Sequence, residues 1–508
     1  MQGRVEPSRV LYSGQNTISM KDYLEHRAYG YKRKIGYDDV LSFKLYSNFN
    51  NYVLRPNQKA PSKEVGGVFN LEYSLDGRIV LAACERRQVL IYDATNQKHM
   101  MTIENAHRNC VNCIRYLDDR TFATCSDDTS IKLWDIRNLK TSTKTLYGHS
   151  NWVKNIEYSE KDNVMLTSAF DGSIYSWNLK SNTENGLLYE KVFLMNGLMR
   201  TKLSPDGTKM VISTTNGYMI IVHDLNLETL ATDLRSFRPN LYRLMQTSDQ
   251  NFPVGAIFNY LFNPSRKKNR IEFIEDFQND AEVISSLQIH PHGWCALSRN
   301  LDGTETEEWT SVHDIQKRDP TDYEDAYKTV EEDLSHNNED VEESNQRPTD
   351  LWMGYRENRD RYMMQSLWEN YHLAMGIINS GLIGRNSYET YFQHNPENRN
   401  RIIKNLKRMT HYVKEKSVAK GYIKELCFSS DGRIICSPFD KGVRLLAFNE
   451  KLQELPYCVP EQPQELKTLL ELNNYHAGVV VSCKFSPTHL QFVSGCLGSE
   501  IKWYQPVL

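Results

Sequence analysis

A chain of 508 residues, 40% hydrophobic and 25% charged, has material for a large core and for two or three ordinary domains. Its formal charge of −3 and pI near 6.6 give no electrostatic footprint for nucleic acid, while a mean hydropathy of −0.60 implies long polar segments beside the core. Ten cysteines are too few for a disulfide scaffold, and Met1–Ser19 holds no apolar run of the signal-peptide kind. Nothing approaches the ~18 apolar residues of a membrane span. The expectation is a soluble intracellular protein, nuclear or cytoplasmic, with no membrane contact and no cofactor.

From the N-terminus, residues 1–40 read as an extension carrying one short helix, Ser19 to Lys34, on which Met20, Tyr23, Leu24 and Arg27 recur at helical spacing. From 41 onward a repeat governs the chain. Ile114-Arg115-Tyr116, Phe122 to Asp128 and Ile131 to Asp135 form one unit, and Ile156-Glu157-Tyr158, Met165 to Gly172 and Ile174 to Asn178 form the next. Trp134 and Trp177 are 43 residues apart and His107 and His149 are 42 apart, the ~40–45 of a four-stranded propeller blade. Weaker copies begin near Phe69, Arg200, Ile284, Ile423 and Val480, which makes seven.

Each copy alternates apolar and polar residues, turns at Asp-Gly or Ser-Pro, and alternates again, the pattern of short antiparallel strands. A lone blade cannot bury both faces, so the copies must stack around an axis. The expected fold is all-β, a seven-bladed WD-repeat propeller over 41–508. The last copy has three strands, so a strand within Leu41 to Leu54 is expected to supply the fourth and close the ring.

Two stretches exceed any blade loop. Residues 231–280 read as a long insertion between blades, with a basic cluster at Arg266 to Arg270 that fits a solvated loop better than an import signal. Residues 316–410 read as a second insertion. Its first half, Asp319 to Ser344, is acidic and is expected to be disordered; its second half, with Trp352, Tyr355, Tyr362, Leu367, Trp368 and Tyr371, is expected to be helical.

His107, Asp128 and Trp134 in one blade, and His149, Asp171 and Trp177 in the next, carry the residue types of a catalytic or metal site. Their recurrence argues otherwise. The Asp six residues before each Trp falls in a tight turn, within reach of the His, whose ring also reaches a Ser or Thr on the adjacent strand; such a buried network fixes strand packing. No G-x-S-x-G elbow, P-loop, H-E-x-x-H or Cys/His zinc pattern is present, so catalysis is not expected.

Trp134-Asp135-Ile136-Arg137 forms a Trp-Asp-x-Arg box that leaves Arg137 at the rim; alone, Arg137 reads as well as a surface arginine. The stretches Val68 to Asp93, Glu104 to Arg137, Tyr147 to Tyr158, Met210 to Leu225, Gly421 to Leu446 and Phe485 to Pro506 add more. Together they resemble the WD-repeat substrate receptors of cullin-4 RING ubiquitin ligases, the factors associated with damage-specific DNA-binding protein 1 and cullin-4. The resemblance implies a non-catalytic receptor. It would dock on that adaptor, and through it on cullin-4 and a RING subunit, and hold an unknown protein substrate. Carried over to this sequence, the adaptor-facing positions are Trp134, Asp135 and Arg137, with Met20, Tyr23, Leu24 and Arg27 as an extension. Two features depart from it: the second box has become Trp177-Asn178-Leu179-Lys180, and the aromatic stretch after 351 has no placed counterpart. Alternatives of other classes are a ubiquitin-independent scaffold or peptide-binding propeller, and a nucleic-acid-binding one, which the charge disfavours.

Overall fold

The computed structural model of the chain describes residues 20–30, 37–54, 65–183, 186–234, 237, 239, 270–277, 283–300, 307–316, 407–416, 423–460 and 462–507. The chain divides into two compact units, one of residues 1–235, 267–317 and 407–508, the other of residues 236–266 and 318–406. The second is almost wholly outside the described residues, and with it the acidic run, the aromatic stretch after 351 and most of the basic cluster.

The first unit is a seven-bladed β-propeller. Blade 1 spans 68–103, blade 2 111–146, blade 3 153–194, blade 4 198–274, blade 5 283–416, blade 6 427–472 and blade 7 480–506. Central strands are buried on both faces because neighbouring blades stack on them; in Val164–Ala169 no residue reaches solvent. Leu81, Ala83 and Ile91 of blade 1 pack on Ile114, Phe122 and Trp134 of blade 2, and Cys113, Ala123 and Ile131 of blade 2 pack on Ile156, Met165 and Trp177 of blade 3. Each large side chain so buried contributes about 1.5–3 kcal/mol.

Blade 7 takes its fourth strand from the other end of the chain. Phe49–Asn51 pairs antiparallel with Ile501–Pro506, Phe49 opposite Pro506 and Asn51 opposite Tyr504. Of residues 41–54, within which that strand was sought, 41–47 are helical. Helix α1 covers Met20–Ala28 and helix α2 covers Tyr37–Ser47. Asp38 and Asp39 in the first turn of α2 and Lys44 in its last suit the helix dipole. Asp39 meets Arg433 at 2.6 Å, and the Tyr46 hydroxyl donates to Asp431 at 2.7 Å, so α2 is tied to the first turn of blade 6.

The two insertions lie inside blades, between third and fourth strands, whereas the first was expected between blades. Arg270–Ile274 pairs with Met219–His223 to complete blade 4, and Met409–Lys416 pairs with Glu307–Asp314 in blade 5. Their bounds therefore end earlier than 280 and 410. Both returning strands are locked by buried charge: Arg408 Nε donates to Glu272 at 2.7 Å, and Asp276 accepts the backbone N–H of Met409 at 2.8 Å and contacts His313 at 3.1 Å. Lys424, fully buried, is held by Glu415 and by Glu308 at 3.1 Å.

The innermost strands face one another around the axis and are joined by ion pairs that cross from blade to blade. Glu72 of blade 1 takes Arg115 of blade 2 at 3.3 Å and Lys484 of blade 7 at 2.7 Å, and Glu157 of blade 3 takes Lys202 of blade 4 at 2.7 Å. Arg200 of blade 4 meets Glu425 just before blade 6, which also accepts from Gln288 of blade 5 at 3.1 Å.

The recurring His, Asp and Trp serve this packing. In blade 2, Trp134 Nε1–H donates to the Thr124 hydroxyl at 2.9 Å, the hydroxyl lies 2.7 Å from His107 Nε2, and His107 Nδ1 lies 3.0 Å from Asp128. Asp128 then accepts the Arg108 backbone N–H at 2.8 Å, joining loop to turn. Blade 3 repeats the chain through Trp177, Thr167 and His149, with Ser173 between the ring (2.9 Å) and Asp171. Blade 7 carries a third version that the sequence did not reveal. His476 Nε2 is 2.6 Å from the Ser494 hydroxyl, which donates to the Tyr504 hydroxyl at 3.3 Å, while Glu500 accepts the Ala477 N–H at 2.9 Å.

Two tests follow from this packing. Thr124→Val keeps the shape but leaves His107 Nε2 and Trp134 Nε1 buried without their partner, so a loss of about 2–4 kcal/mol is expected in urea unfolding; a loss under about 0.5 kcal/mol would show the network to be idle. The second concerns acid. Burial pushes His290 and His411 down to about 4 and His476 down to about 3. His290 is fixed as a neutral ring, Nδ1 accepting from His292 N–H at 2.9 Å and Nε2 donating to Gly432 O at 2.9 Å. Unfolded imidazoles bind protons near 6.5. Their contribution is therefore full above pH ~6.5 and lost as pH falls toward 4, on the order of 3 kcal/mol for His290. The urea midpoint should drop steeply from pH 7 to 4.5, and His290→Gln should flatten that slope; an unchanged slope would refute the assignment.

Candidate functional site: the exposed corner after Trp134

The third strand of blade 2, Ile131–Asp135, ends in a corner shaped by Asp135. Its carboxylate accepts the Arg137 backbone N–H at 2.9 Å, which turns the chain, and takes the Arg137 guanidinium in a two-point pair, Nε to Oδ1 at 3.1 Å and Nη2 to Oδ2 at 2.7 Å. The pair holds the Asp135 carboxyl down at about 2. Arg137 keeps 63% of its side chain in solvent. The corner thus presents a guanidinium of fixed orientation with donors left over, suited to a carboxylate or carbonyl on a partner.

Trp134 takes no part in that surface. It is buried against Phe122, ring centroids 6.4 Å apart, and acts only by fixing where the strand ends. The matching corner of blade 3 keeps the turn without the charge pair: Asn178 Oδ1 accepts the Lys180 N–H at 3.0 Å.

On α1, Leu24 is 58% exposed, Arg27 is exposed and donates to the Tyr23 hydroxyl at 3.4 Å, and Tyr23 is half-buried. Met20 opens the helix, its side chain outside the described residues. Topology relates α2 to the corner. In a blade the third strand ends, and the fourth begins, at one rim. Arg137 follows a third strand, and α2 immediately precedes Phe49–Asn51, the fourth strand of blade 7. Both therefore belong to the same rim of the ring.

The remaining clusters among the described residues are engaged in packing within the blades. The Thr124 hydroxyl beside His107 is fully buried under the Trp134 indole and can attack nothing outside the blade. Among the described residues two groupings bring metal-ligating atoms together, Cys427 with Cys436 and Cys483, and His476 with Cys496 and Glu500. Burial pushes the Cys436 and Cys483 thiols well up, which keeps them protonated; in Cys427 burial acts the same way, but hydrogen bonds from the other two outweigh it. Cys483 contacts the Glu425 and Cys436 carbonyls at 3.2 Å, the geometry of a packed thiol. Cys110 and Cys113 stand in C-x-x-C spacing, yet Cys113 is placed opposite Cys125 on the neighbouring strand.

Comparison with known proteins agrees with this architecture. The WD domain, G-beta repeat model matches residues 97–135 and 140–178. DDB1- and CUL4-associated factor 10 of Danio rerio is 36% identical over 456 residues, 87% of this chain and 74% of its own length. The protein of the same name from Xenopus tropicalis is 35% identical over 468 residues, covering 87% of this chain and 85% of its own. That of Homo sapiens is 34% identical over 469 residues, 87% and 70% respectively. Similarity of this extent across the blades, together with the propeller itself, shows that the chain belongs to the DDB1- and CUL4-associated factor 10 family.

Proposed function

We propose that the chain is a non-catalytic substrate receptor of a cullin-4 RING ubiquitin ligase. It docks on the adaptor DDB1 through the Asp135–Arg137 corner and the N-terminal helices, and presents a bound protein for ubiquitin transfer by a separate conjugating enzyme. One observation carries the reading: an oriented, exposed guanidinium stands on the same rim as α2, in a chain whose relatives carry DDB1 and CUL4 in their name. Asp135 and Arg137 act as one unit in this interface, the carboxylate aiming the fork and Trp134 holding the strand beneath it. Leu24 and Tyr23 add apolar contact from α1.

Purified full-length chain and adaptor test it. Arg137→Ala should weaken binding by about 1–3 kcal/mol, as for an interface hot spot. Arg137→Lys should not restore it, because a lysine cannot make the two-point pair with Asp135. Adaptor affinity unchanged in the Arg137→Ala, Tyr23→Ala double variant would refute this docking mode. A pull-down that recovers stable partners but never adaptor or cullin would instead favour a ubiquitin-independent scaffold.

A further inference from the structure

The rim opposite Arg137 is built from the loops that enter first strands and the turns that join second strands to third. In blades 1 to 3 these bring together residues far apart in sequence. The turn of blade 1 is Glu85-Arg86-Arg87, and the Arg87 carbonyl accepts the Ala106 N–H at 2.8 Å, which sets the turn against the loop carrying Arg108. Arg86, Arg87 and Arg108 are all exposed, and among the described residues none makes an ion pair. The Glu85 carboxylate is occupied by the Gly67 N–H at 2.9 Å, and Asp128 by His107 and the Arg108 N–H; Glu104 is the exposed carboxylate nearby.

The neighbouring turn and loop of blade 3 supply apolar surface. Trp152 is 46% exposed, with its ring 6.1 Å from Phe170. Lys154 lies 5.0 and 5.3 Å from the two rings and is neutralised by Asp127 at 3.0 Å. A large aromatic open to water beside unpaired guanidinium groups has the composition of an interface centre.

Backbone conformation singles out the same place. The third turn residue is left-handed in blades 1, 2, 3, 4 and 7: Arg87 at φ 63°, Thr129 at 67°, Gly172 at 78°, Gly217 at 82° and Ser499 at 66°. Glycine takes this conformation at least cost, and every L side chain there, Arg87 included, is strained. Arg86 in turn occupies the position where blades 2 and 3 keep the network aspartates, Asp128 and Asp171. Blade 1 therefore carries one arginine at a strained turn position and another exposed beside it, neither used in an ion pair among the described residues, which points to a demand from outside the fold.

We propose that this rim docks an acidic peptide segment of a partner protein, its carboxylates on Arg86, Arg87 and Arg108 and one aromatic or aliphatic side chain on Trp152 and Phe170. That this partner is the substrate rests on the receptor reading; the surface itself does not. Because it lies across the ring from the Arg137 corner, both surfaces can be occupied at once.

The test uses the full chain and a fluorescent twelve-residue peptide of glutamates and aspartates around a central phenylalanine, with a matched peptide of glutamines and asparagines and a twelve-nucleotide oligo-dT. The acidic peptide should bind at least about tenfold more tightly than the neutral one. Arg86→Glu with Arg108→Glu should weaken it about tenfold or more, and Trp152→Ala about fivefold. Arg87→Gly should weaken it while leaving the thermal midpoint unchanged or raised, which separates recognition from folding. Equal affinity for both peptides, or indifference to the arginine reversals, would overturn the proposal. Tighter, arginine-dependent binding of oligo-dT would replace it with a nucleic-acid surface. Adaptor affinity should not respond to these variants, and peptide affinity should not respond to Arg137→Ala, so either reading can fail without the other.

Discussion

Every blade of this ring is buried by its neighbours, so the stack holds only if the first and last blades also meet. They meet face to face, Val68, Leu71 and Tyr92 of blade 1 against Val493 and Trp503 of blade 7, with Lys484 on Glu72, and Phe49–Asn51 completes the blade 7 sheet that Ile501–Pro506 would otherwise leave with an open third strand. The joint is apolar as well as hydrogen-bonded. Phe49 packs with Phe485 and Phe492, and Tyr46 of α2 stacks on Phe49 at 5.8 Å. Closure also decides what the rim displays. Because α2 runs directly into the closing strand and is tied to Arg433 and Asp431, the helix is fixed by the same residues that complete the ring.

The charges at the centre and in blades 4 and 5 answer a different need. Inner strands converge on the axis with polar side chains, and ion pairs from blade to blade keep Glu72, Glu157 and Glu425 compensated. In the fourth strands of blades 4 and 5 the charges are fully desolvated. Arg408 with Glu272, and Lys424 with Glu415, are of the kind whose loss of one partner typically destabilises by about 3–5 kcal/mol. Such pairs favour the register in which a strand returning from a long excursion meets its opposite charge.

The sequence made plain whatever is local. The network of blade 2 was legible because His107, Thr124, Asp128 and Trp134 fall within one repeat, at spacings that blade 3 repeats. Blade 7 uses the same geometry with different letters: Tyr504 replaces the indole, and Glu500, two residues beyond the usual place, replaces the aspartate, so letter matching misses it. The fourth strands of blades 4 and 5 were hidden for another reason. Glu272 and Arg408 are 136 residues apart, and only tertiary structure pairs them; the alternation in Arg270–Ile274 and Met409–Lys416 was the one available signal. Helix α2 escaped because its apolar residues do not gather on one face. At the box, Arg137 was read as outward and is so, whereas the burial of Trp134 follows from blade stacking, which no single repeat displays. The arginine rim was illegible because Arg86, Arg108 and Trp152 belong to three different blades and share a rim only once the ring is built.

Closure by an early strand has a consequence for how the molecule is made. The ribosome releases Phe49–Asn51 long before Ile501–Pro506, and the anchors of α2 are equally remote, 385 and 394 residues along the chain. Six blades can assemble as they emerge, but the seventh waits for the final stretch of translation, and contacts of such high sequence separation are slow to form. Until blade 6 is made α2 lacks Asp431 and Arg433, and until the last strand is made Phe49–Asn51 lacks its partner. A product that stops short of Ile501–Pro506 therefore holds α2 through blade 6 alone and leaves the strand after it unpaired, so the helix is fixed at both ends only once the last blade is made.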